Sequence, residues 1–209
     1  MTPAGRKYIN WDCIRMDKRS YALGMNVGIN LLQSGVTKVA YCDFNRGMKH
    51  MLSSVKPEIT EAEMSKILTD YFNECIEEAK NQMKKRNQDW LNENAFKNGT
   101  TTYPSGLQIK ILSKGGEKHA TDSSEIVCNY EAKLIDGRVV DSTYTKGKPT
   151  KLSLNKVITG FREGVKLIGE GGKAEFALPS NLAYGEKGLG KVVPPFATLI
   201  YTVEILKID

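Results

Sequence analysis

The hydrophobic pattern of this 209-residue chain changes its period near residue 99. In residues 60–98 apolar side chains recur every three or four positions, which is typical of an amphipathic helix. After residue 106 apolar and polar residues alternate over several short runs, which is typical of half-buried strands. Glycine follows the same division, since five of the 19 glycines lie before residue 99 and 14 lie from there on. The sequence therefore predicts an α+β protein, with an all-helical first domain and a strand-rich second domain.

Three helices are predicted in the first domain, over about 18–34, 38–54 and 60–98. Thr60 and Glu63 have the spacing of a capping box at the start of the third helix. That helix would span roughly 55–60 Å, and so small a domain cannot cover its apolar stripe. We therefore expect a homodimer through the helical domain, with the far part of the third helix as a stalk. The predicted domains are an unassigned segment 1–17, a helical dimerisation domain 18–98 and a second domain 99–209.

Strands dominate the prediction for the second domain. Asp136-Gly137 separates two of them and is a signal for a two-residue hairpin loop. One stretch, residues 155–168, has apolar residues at helical spacing and predicts a short helix across the sheet. The five predicted strands are 107–112, 125–135, 138–142, 173–178 and 197–208.

Charge and cysteine content exclude several classes of function. The net charge of +6 comes from 30 basic and 24 acidic residues that are interspersed, so no nucleic-acid partner is predicted. The four cysteines lack metal-ligand spacing, so we expect no metal and no cofactor, with Cys75 and Cys128 as small buried residues. No apolar run is long enough to span a membrane, and no signal peptide is visible. The free thiols favour the cytoplasm; the alternative, if the chain is a processed form, is the periplasm or the outer membrane.

The second domain contains no polar constellation suited to nucleophilic or acid–base catalysis. It has instead aromatic and aliphatic residues near its predicted turns. They occur in the runs Val139-Val-Asp-Ser-Thr143, Val157-Ile-Thr-Gly-Phe-Arg-Glu-Gly164, Leu178-Pro-Ser-Asn-Leu-Ala-Tyr-Gly185 and Val193-Pro-Pro-Phe-Ala-Thr-Leu199. In order and spacing, residues 105–208 resemble the FKBP-type peptidyl-prolyl cis-trans isomerases, which bind the macrolide tacrolimus.

The resemblance extends into the first domain. Ser20–Gly28, Phe44–Lys49, the helix start at 60–64 and the segment from Glu93 to Gln108 are similar to the bacterial macrophage-infectivity-potentiator (Mip) subfamily. That subfamily has an N-terminal dimerisation domain. Nearly the whole chain is covered, and the resemblance implies a homodimer that acts on proline-containing unfolded or partly folded polypeptides.

For the second domain the resemblance implies an antiparallel half-barrel wrapped around a short helix, without metal or cofactor. The prolyl ring would enter an apolar hollow between sheet and helix. Phe161 would form its floor, while Tyr184 would offer a hydroxyl and Asp141 a carboxylate; these are the expected catalytic residues. The expected substrate-binding walls are Tyr130, Val140, Leu152, Val157, Ile158, Val193 and Tyr201.

Some residues depart from the family pattern. Val140 stands where the family usually has phenylalanine, Thr150 where it has an aromatic residue, and Lys146 replaces a common arginine. We therefore expect isomerase activity with reduced affinity for macrolide inhibitors. A folding chaperone, or a proline-peptide binding module with weak or no isomerase activity, is the alternative function.

Overall fold

The computed structural model of the chain describes residues 16–209. Its contacts divide the chain into two compact units, of which the first ends at Glu78 and the second comprises Ala79–Asp209. The second unit therefore begins well before residue 99, where the pattern of the sequence changes. Cys13 and most of the unassigned segment 1–17 lie outside the described residues.

The three predicted helices of the first half are confirmed. They are α1 (Lys18–Gln33), α2 (Tyr41–Leu52) and α3 (Glu61–Ala95). The capping box of α3 is formed as the sequence predicts, since Thr60 N–H donates to Glu63 Oε2 at 2.8 Å and Glu63 N–H donates to Thr60 Oγ1 at 3.2 Å. With 35 residues α3 extends about 52 Å.

The first unit has little core of its own. Neither α1 nor α2 contains a buried residue. The buried residues of the first unit, among those that the structure describes, are Val36 and Cys75. The Tyr71 hydroxyl also donates to the carbonyl oxygen of Lys38 at 3.1 Å. The large apolar side chains that remain exposed in a single chain include Tyr21, Leu23, Met25, Ile29, Leu32, Met51 and Leu52.

Seven antiparallel strands form the sheet of the second unit. Their order is β1-β2-β6-β7-β3-β4, and β5 pairs with β3 as well. Because β3 is ten residues long, β5 and β4 cover successive parts of the same edge, opposite Glu125–Cys128 and Glu131–Lys133. The strands are β1 (Thr100–Thr102), β2 (Gln108–Ser113), β3 (Glu125–Leu134), β4 (Val139–Ser142), β5 (Thr150–Ser153), β6 (Lys173–Leu178) and β7 (Leu199–Ile208).

Two details of this sheet differ from the prediction. The sequence does not predict β1 and β5, because each is short and polar and carries no alternating pattern. The predicted two-residue loop at Asp136-Gly137 is wrong. Leu134 N–H donates to Arg138 O and Gly137 N–H donates to Leu134 O, both at 3.0 Å, so three residues form the loop. Gly137 occupies its left-handed position, as is usual for a three-residue hairpin.

A short helix, α4 (Thr159–Val165), lies against the sheet and is shorter than predicted because a single 3₁₀ turn, Leu154–Lys156, precedes it. Its two glycines allow a close approach to the sheet. A Cβ atom on Gly160 would lie 2.8 Å from Leu178, and one on Gly164 would lie 2.8 Å from Phe176. Phe161 between them is 3% exposed and belongs to the core. The half-barrel around a short helix is therefore confirmed.

Candidate active site

Three aromatic rings meet beside α4. The ring centroid of Phe161 lies 5.3 Å from that of Tyr201 and 6.0 Å from that of Tyr130, with interplanar angles of 68° and 73°. The rings of Tyr130 and Tyr201, from the paired strands β3 and β7, are 6.0 Å apart. Phe176 of β6 contacts Phe161 edge to face at 6.4 Å. Such contacts fix the orientation of Phe161 without any polar group.

The predicted wall residues surround this cluster at two levels of burial. Val193 and Tyr201 are buried and belong to the same core cluster as Phe161. The other predicted walls and Tyr184 are only partly buried, and each packs against that core: Tyr130, Val140, Leu152, Val157, Ile158 and Tyr184. All ten predicted residues except Asp141 thus belong to this core or pack on it.

Asp141 is linked to the cluster through a hydrogen bond. The Tyr130 hydroxyl donates to its Oδ2 at 2.6 Å, while Lys146 Nζ and Ser142 N–H donate to its Oδ1 at 2.6 and 2.8 Å. Burial by itself raises the pKa of Asp141, but the hydrogen bonds from Lys146 and Tyr130 outweigh it, and the pKa is lowered. A carboxylate has about four acceptor positions, so one position on Oδ2 remains open.

The phenols of the cluster remain protonated. Burial first, and then the hydrogen bond to Asp141, raise the pKa of Tyr130. Burial also raises the pKa of Tyr201, with further contributions from the neighbouring phenols of Tyr184 and Tyr130. Among the described residues the Tyr184 hydroxyl has no hydrogen-bond partner. It is therefore a free donor at the edge of an aromatic surface.

Tyr184 begins a segment that folds back on itself before β7. Leu189 N–H donates to Val193 O at 2.8 Å, and Phe196 N–H donates to Gly185 O at 3.0 Å. These two bonds hold Val193 beside Leu189 and Phe196 beside Gly185, the residue that follows Tyr184.

Sequence reasoning assigns Tyr130 only to a wall and misses its hydrogen bond to Asp141. The pairing of β3 with β4 in the hairpin indicates that these two side chains can meet. In the register of β3 and β4, Ala132 pairs with Asp141, and Tyr130 lies two residues from Ala132 on the same face. The diagonal neighbours Tyr130 and Asp141 are then within reach of each other.

Other possible chemistry finds no site in the described part of the chain. No group of three or more His, Cys, Asp or Glu side chains in residues 16–209 could hold a metal ion. Cys75 and Cys128 are buried, as predicted, and burial raises the pKa of the Cys128 thiol to about 12. Of the helices in the described residues, none has the length and apolar character to cross a membrane.

Comparison with known proteins identifies the family. Residues 116–206 match the family described as FKBP-type peptidyl-prolyl cis-trans isomerase, and residues 16–111 match the domain described as amino terminal to it. The chain is 36% identical over 202 residues to the "Probable FKBP-type peptidyl-prolyl cis-trans isomerase FkpA" of Neisseria meningitidis, covering 92% of this chain and 74% of that protein. The chain belongs to the FKBP-type peptidyl-prolyl isomerase family. Its activity is therefore cis–trans isomerisation of peptide bonds before proline in polypeptides.

Two further relatives are informative: the first supports the fold, and the name of the second concerns the cellular location. The crystal structure of FkpA from Escherichia coli superposes with a TM-score of 0.68 at 29% identity, covering 92% of this chain and 95% of that one. The "Outer membrane protein MIP" of Legionella longbeachae is 29% identical over 204 residues, which cover 92% of this chain and 85% of that protein. The cytoplasmic location expected from the free thiols is not supported by these relatives.

Proposed function

We propose that isomerisation takes place in the hollow bounded by Phe161, Tyr130 and Tyr201, with Tyr184 and Asp141 at its rim. The observation that carries this proposal is the combination of three orienting aromatic rings with one ionised carboxylate bonded to the Tyr130 hydroxyl. A prolyl ring is apolar and compact, so it can pack against Phe161. The peptide on either side of it is polar and meets the rim.

The proposed mechanism needs no proton transfer. Rotation about a prolyl amide has a barrier of about 18–20 kcal/mol, because the C–N bond must lose its partial double-bond character. The planar amide is more polar than the twisted one. A dry aromatic surface therefore disfavours the ground state relative to the transition state. The hollow supplies this surface, and the rim holds the substrate in the conformation that twists.

Tyr184 and Asp141 have different parts in this proposal. The free hydroxyl of Tyr184 donates to a carbonyl oxygen of the substrate. Asp141 has one acceptor position left, which can receive a substrate N–H, and its other contacts fix the ring of Tyr130. The proposed walls then exclude water from the bound proline, because Val193 belongs to the buried core and Val140, Leu152, Val157 and Ile158 pack against it.

The test is the rate of isomerisation of an Ala-Xaa-Pro-Phe peptide, measured by NMR exchange so that no coupling protease is needed. Tyr184→Phe should lower kcat/KM about fivefold to tenfold, because one hydrogen bond in the transition state is lost. Tyr144→Phe is the matched control, since Tyr144 is an exposed tyrosine of the same unit. Equal rates for Tyr184→Phe and the control would reject the proposed role of Tyr184.

The smaller Val140 in this hollow supports a weaker fit for macrolides. A valine leaves uncovered a part of the wall that a phenylalanine would fill. Aromatic contacts add about 0.5–1.5 kcal/mol to the binding energy, beyond what the buried surface area contributes. Val140→Phe should therefore tighten tacrolimus binding about threefold to tenfold in a fluorescence titration. Unchanged affinity would show that Val140 does not limit binding.

We further propose that the first unit forms a homodimer. Its exposed apolar side chains would be covered by the same surface of a second copy, which is the arrangement of most symmetric dimers. Light scattering should then give about twice the 23.2 kDa of one chain. Leu23→Lys with Ile29→Lys should yield monomers, whereas Phe96→Lys, at an exposed position outside the first unit, should not.

The same exposed apolar surface supports a second candidate function, chaperone activity. An apolar face that is open in solution would bind unfolded chains directly. A monomeric wild-type protein that suppresses aggregation of an unfolded client, even when the Tyr184→Phe substitution has lowered isomerase activity, would favour this function over dimerisation.

A location outside the cytoplasm is the remaining part of the proposal. It rests on the name of the Legionella relative, which is called an outer membrane protein. Fractionation of the native host, followed by detection of the protein in each compartment, tests it directly. Recovery in the cytoplasmic fraction alone would reject it.

A further inference from the structure

Asn87 is a buried polar residue on α3, within the second unit. It is 4% exposed, although it lies on a helix whose neighbouring positions are mostly exposed. Its Nδ2 donates to Met83 O at 2.9 Å, which fixes the orientation of the side-chain amide. Its Oδ1 accepts a hydrogen bond from Thr198 N–H at 2.7 Å, across 111 positions of sequence. The side chain thus satisfies a buried backbone donor in a distant segment.

Thr198 is the last residue of the segment that starts at Tyr184. Thr198 is 1% exposed, so its N–H group is buried and needs a protein acceptor. Asn87 Oδ1 is that acceptor. Thr198 is followed directly by β7, so Asn87 fixes the point where the folded-back segment joins the sheet. The buried hydroxyl of Thr198 makes no hydrogen bond among the described residues. The hydrogen bond to Asn87 therefore holds the backbone of Thr198 in place.

A second contact from α3 reaches the same segment. Lys84 Nζ lies 5.7 Å from the ring centroid of Phe196, within the range of a cation–π interaction. Phe196 has a φ of 58°, which is unusual for a bulky residue and indicates a conformation held by its surroundings. Its N–H donates to Gly185 O at 3.0 Å, next to Tyr184. Lys84 and Asn87 thus contact the last residues of the segment, Phe196 and Thr198. The hydrogen bond of Phe196 then connects this end of the segment to Gly185, beside Tyr184.

We infer that Asn87, assisted by Lys84, is a positioning residue for the isomerase: it fixes the segment from Tyr184 to Thr198 so that Tyr184 and Val193 keep their places at the hollow. The inference rests on the proposed function, because it takes Tyr184 and Val193 as residues of the substrate site. Asn87 itself touches no substrate. It acts through Thr198 N–H, and a small displacement of a positioned group can lower the rate strongly.

The cleft beside these contacts allows the segment to move when they are lost. A cleft of about 300 Å³ lies between parts of α3 and the segment, and Lys84, Asn87, Phe196 and Thr198 are among the residues that line it. Loss of the two contacts would remove two restraints on the segment at this cleft and allow it to shift. Such a shift would draw Tyr184 away from the proposed position of the substrate.

The experiment compares variants of the full-length protein at a temperature where circular dichroism shows all of them folded. Asn87→Leu removes the acceptor at similar volume, and Asn81→Leu repeats the change at an exposed position of the same helix. We expect Asn87→Leu to lower kcat/KM about threefold to tenfold, mainly in kcat. Asn81→Leu should stay within about twofold of wild type.

A merely structural role gives a different result. In that case Asn87→Leu would lower the melting temperature while kcat/KM of the folded protein stayed unchanged, and the inference would be overturned. Unchanged rates for Asn87→Leu alongside a slow Tyr184→Phe would reject Asn87 as a positioning residue and leave the proposed site intact.

Lys84 provides a test that does not depend on the folding of Asn87→Leu. Lys84 is exposed, so Lys84→Met should fold, and it removes the cation while keeping the length of the side chain. We expect kcat/KM to fall about twofold relative to Lys85→Met, the neighbouring exposed control. If Asn87→Leu does not fold and Lys84→Met equals its control, the inference is rejected.

Discussion

The hydrogen bond between Tyr130 and Asp141 should appear as a coupling in the isomerisation rate. Tyr130→Phe removes the hydroxyl donor and keeps the ring with its contacts to Phe161 and Tyr201. Asp141→Ala removes the acceptor and leaves the hydroxyl without its partner. Because both substitutions break the same 2.6 Å bond, their effects should not add.

The expected size follows from the surroundings of the carboxylate. Hydrogen bonds to charged groups contribute about 1.5–3 kcal/mol. The side chain of Asp141 is 41% exposed, so water replaces part of what is lost, and we expect the low end of that range or slightly less. About 1.4 kcal/mol in the barrier corresponds to roughly a tenfold loss in kcat/KM. Tyr130→Phe should therefore lose about tenfold. Asp141→Ala should lose at least as much, because it also removes the proposed acceptor for the substrate N–H, and the double variant should lose only slightly more than Asp141→Ala alone.

The assay is NMR exchange on a proline tetrapeptide, with near-UV circular dichroism to show that each variant is folded. Lys146→Met serves as a control, because it removes one exposed donor to Asp141 and leaves the bond from Tyr130 in place. That control should change the rate by less than about threefold. A double variant whose loss equals the product of the two single losses would mean that Tyr130 and Asp141 act independently, and the reasoning from their hydrogen bond would be refuted.

Three further outcomes are expected. The pKa of Asp141 is lowered, so its carboxylate loses its charge and its contribution to stability only as the pH falls below about 4. We therefore expect kcat/KM to be flat from about pH 5.5 to 8.5. A bell-shaped pH profile measured by NMR exchange would contradict this. A fragment starting at Ala79 should keep the wild-type rate and melting temperature of the second unit, whereas one starting at residue 99 should lose both in part, which calorimetry and the peptide assay can measure. Gly188→Ala should lower kcat/KM more than Gly190→Ala, since both have a positive φ but only a Cβ at 188 would meet Val193 O, at 2.2 Å; equal rates would contradict it.

Much of the architecture could be predicted from local patterns. The helix start at Thr60 is fixed by neighbouring residues, and the capping bonds with Glu63 form as expected. The long strands β3 and β7 alternate apolar and polar residues because one face covers the core. Both kinds of signal arise from residues within a few positions of each other, so one sequence is enough to read them.

Other features depend on contacts between distant segments and left no local pattern. The strand β5 is placed in the sheet by its pairing with the first residues of β3, which lie far from it in the sequence. The last turns of α3 carry a polar sequence that looks solvated, yet Leu91 O accepts a hydrogen bond from Gln108 Nε2 at 2.8 Å, and Asn94 donates to the same side chain. Polar residues that bond a distant backbone cannot be told from exposed ones by periodicity alone. The start of the second unit at Ala79 escaped the sequence for this reason.

The site itself was predicted through resemblance more than through chemistry, and its physical character explains why. Catalysis by an apolar hollow leaves no nucleophile, base or metal ligand for a pattern search to find. The carboxylate of the site, Asp141, is held in its charged form by three donors, and its lowered pKa places its titration well below neutral pH. The rate then depends on where aromatic and aliphatic surfaces lie, to within fractions of an ångström. Residues that place those surfaces, such as Asn87 behind the Tyr184 segment, should therefore matter more than exposed charges that lie nearer to the hollow.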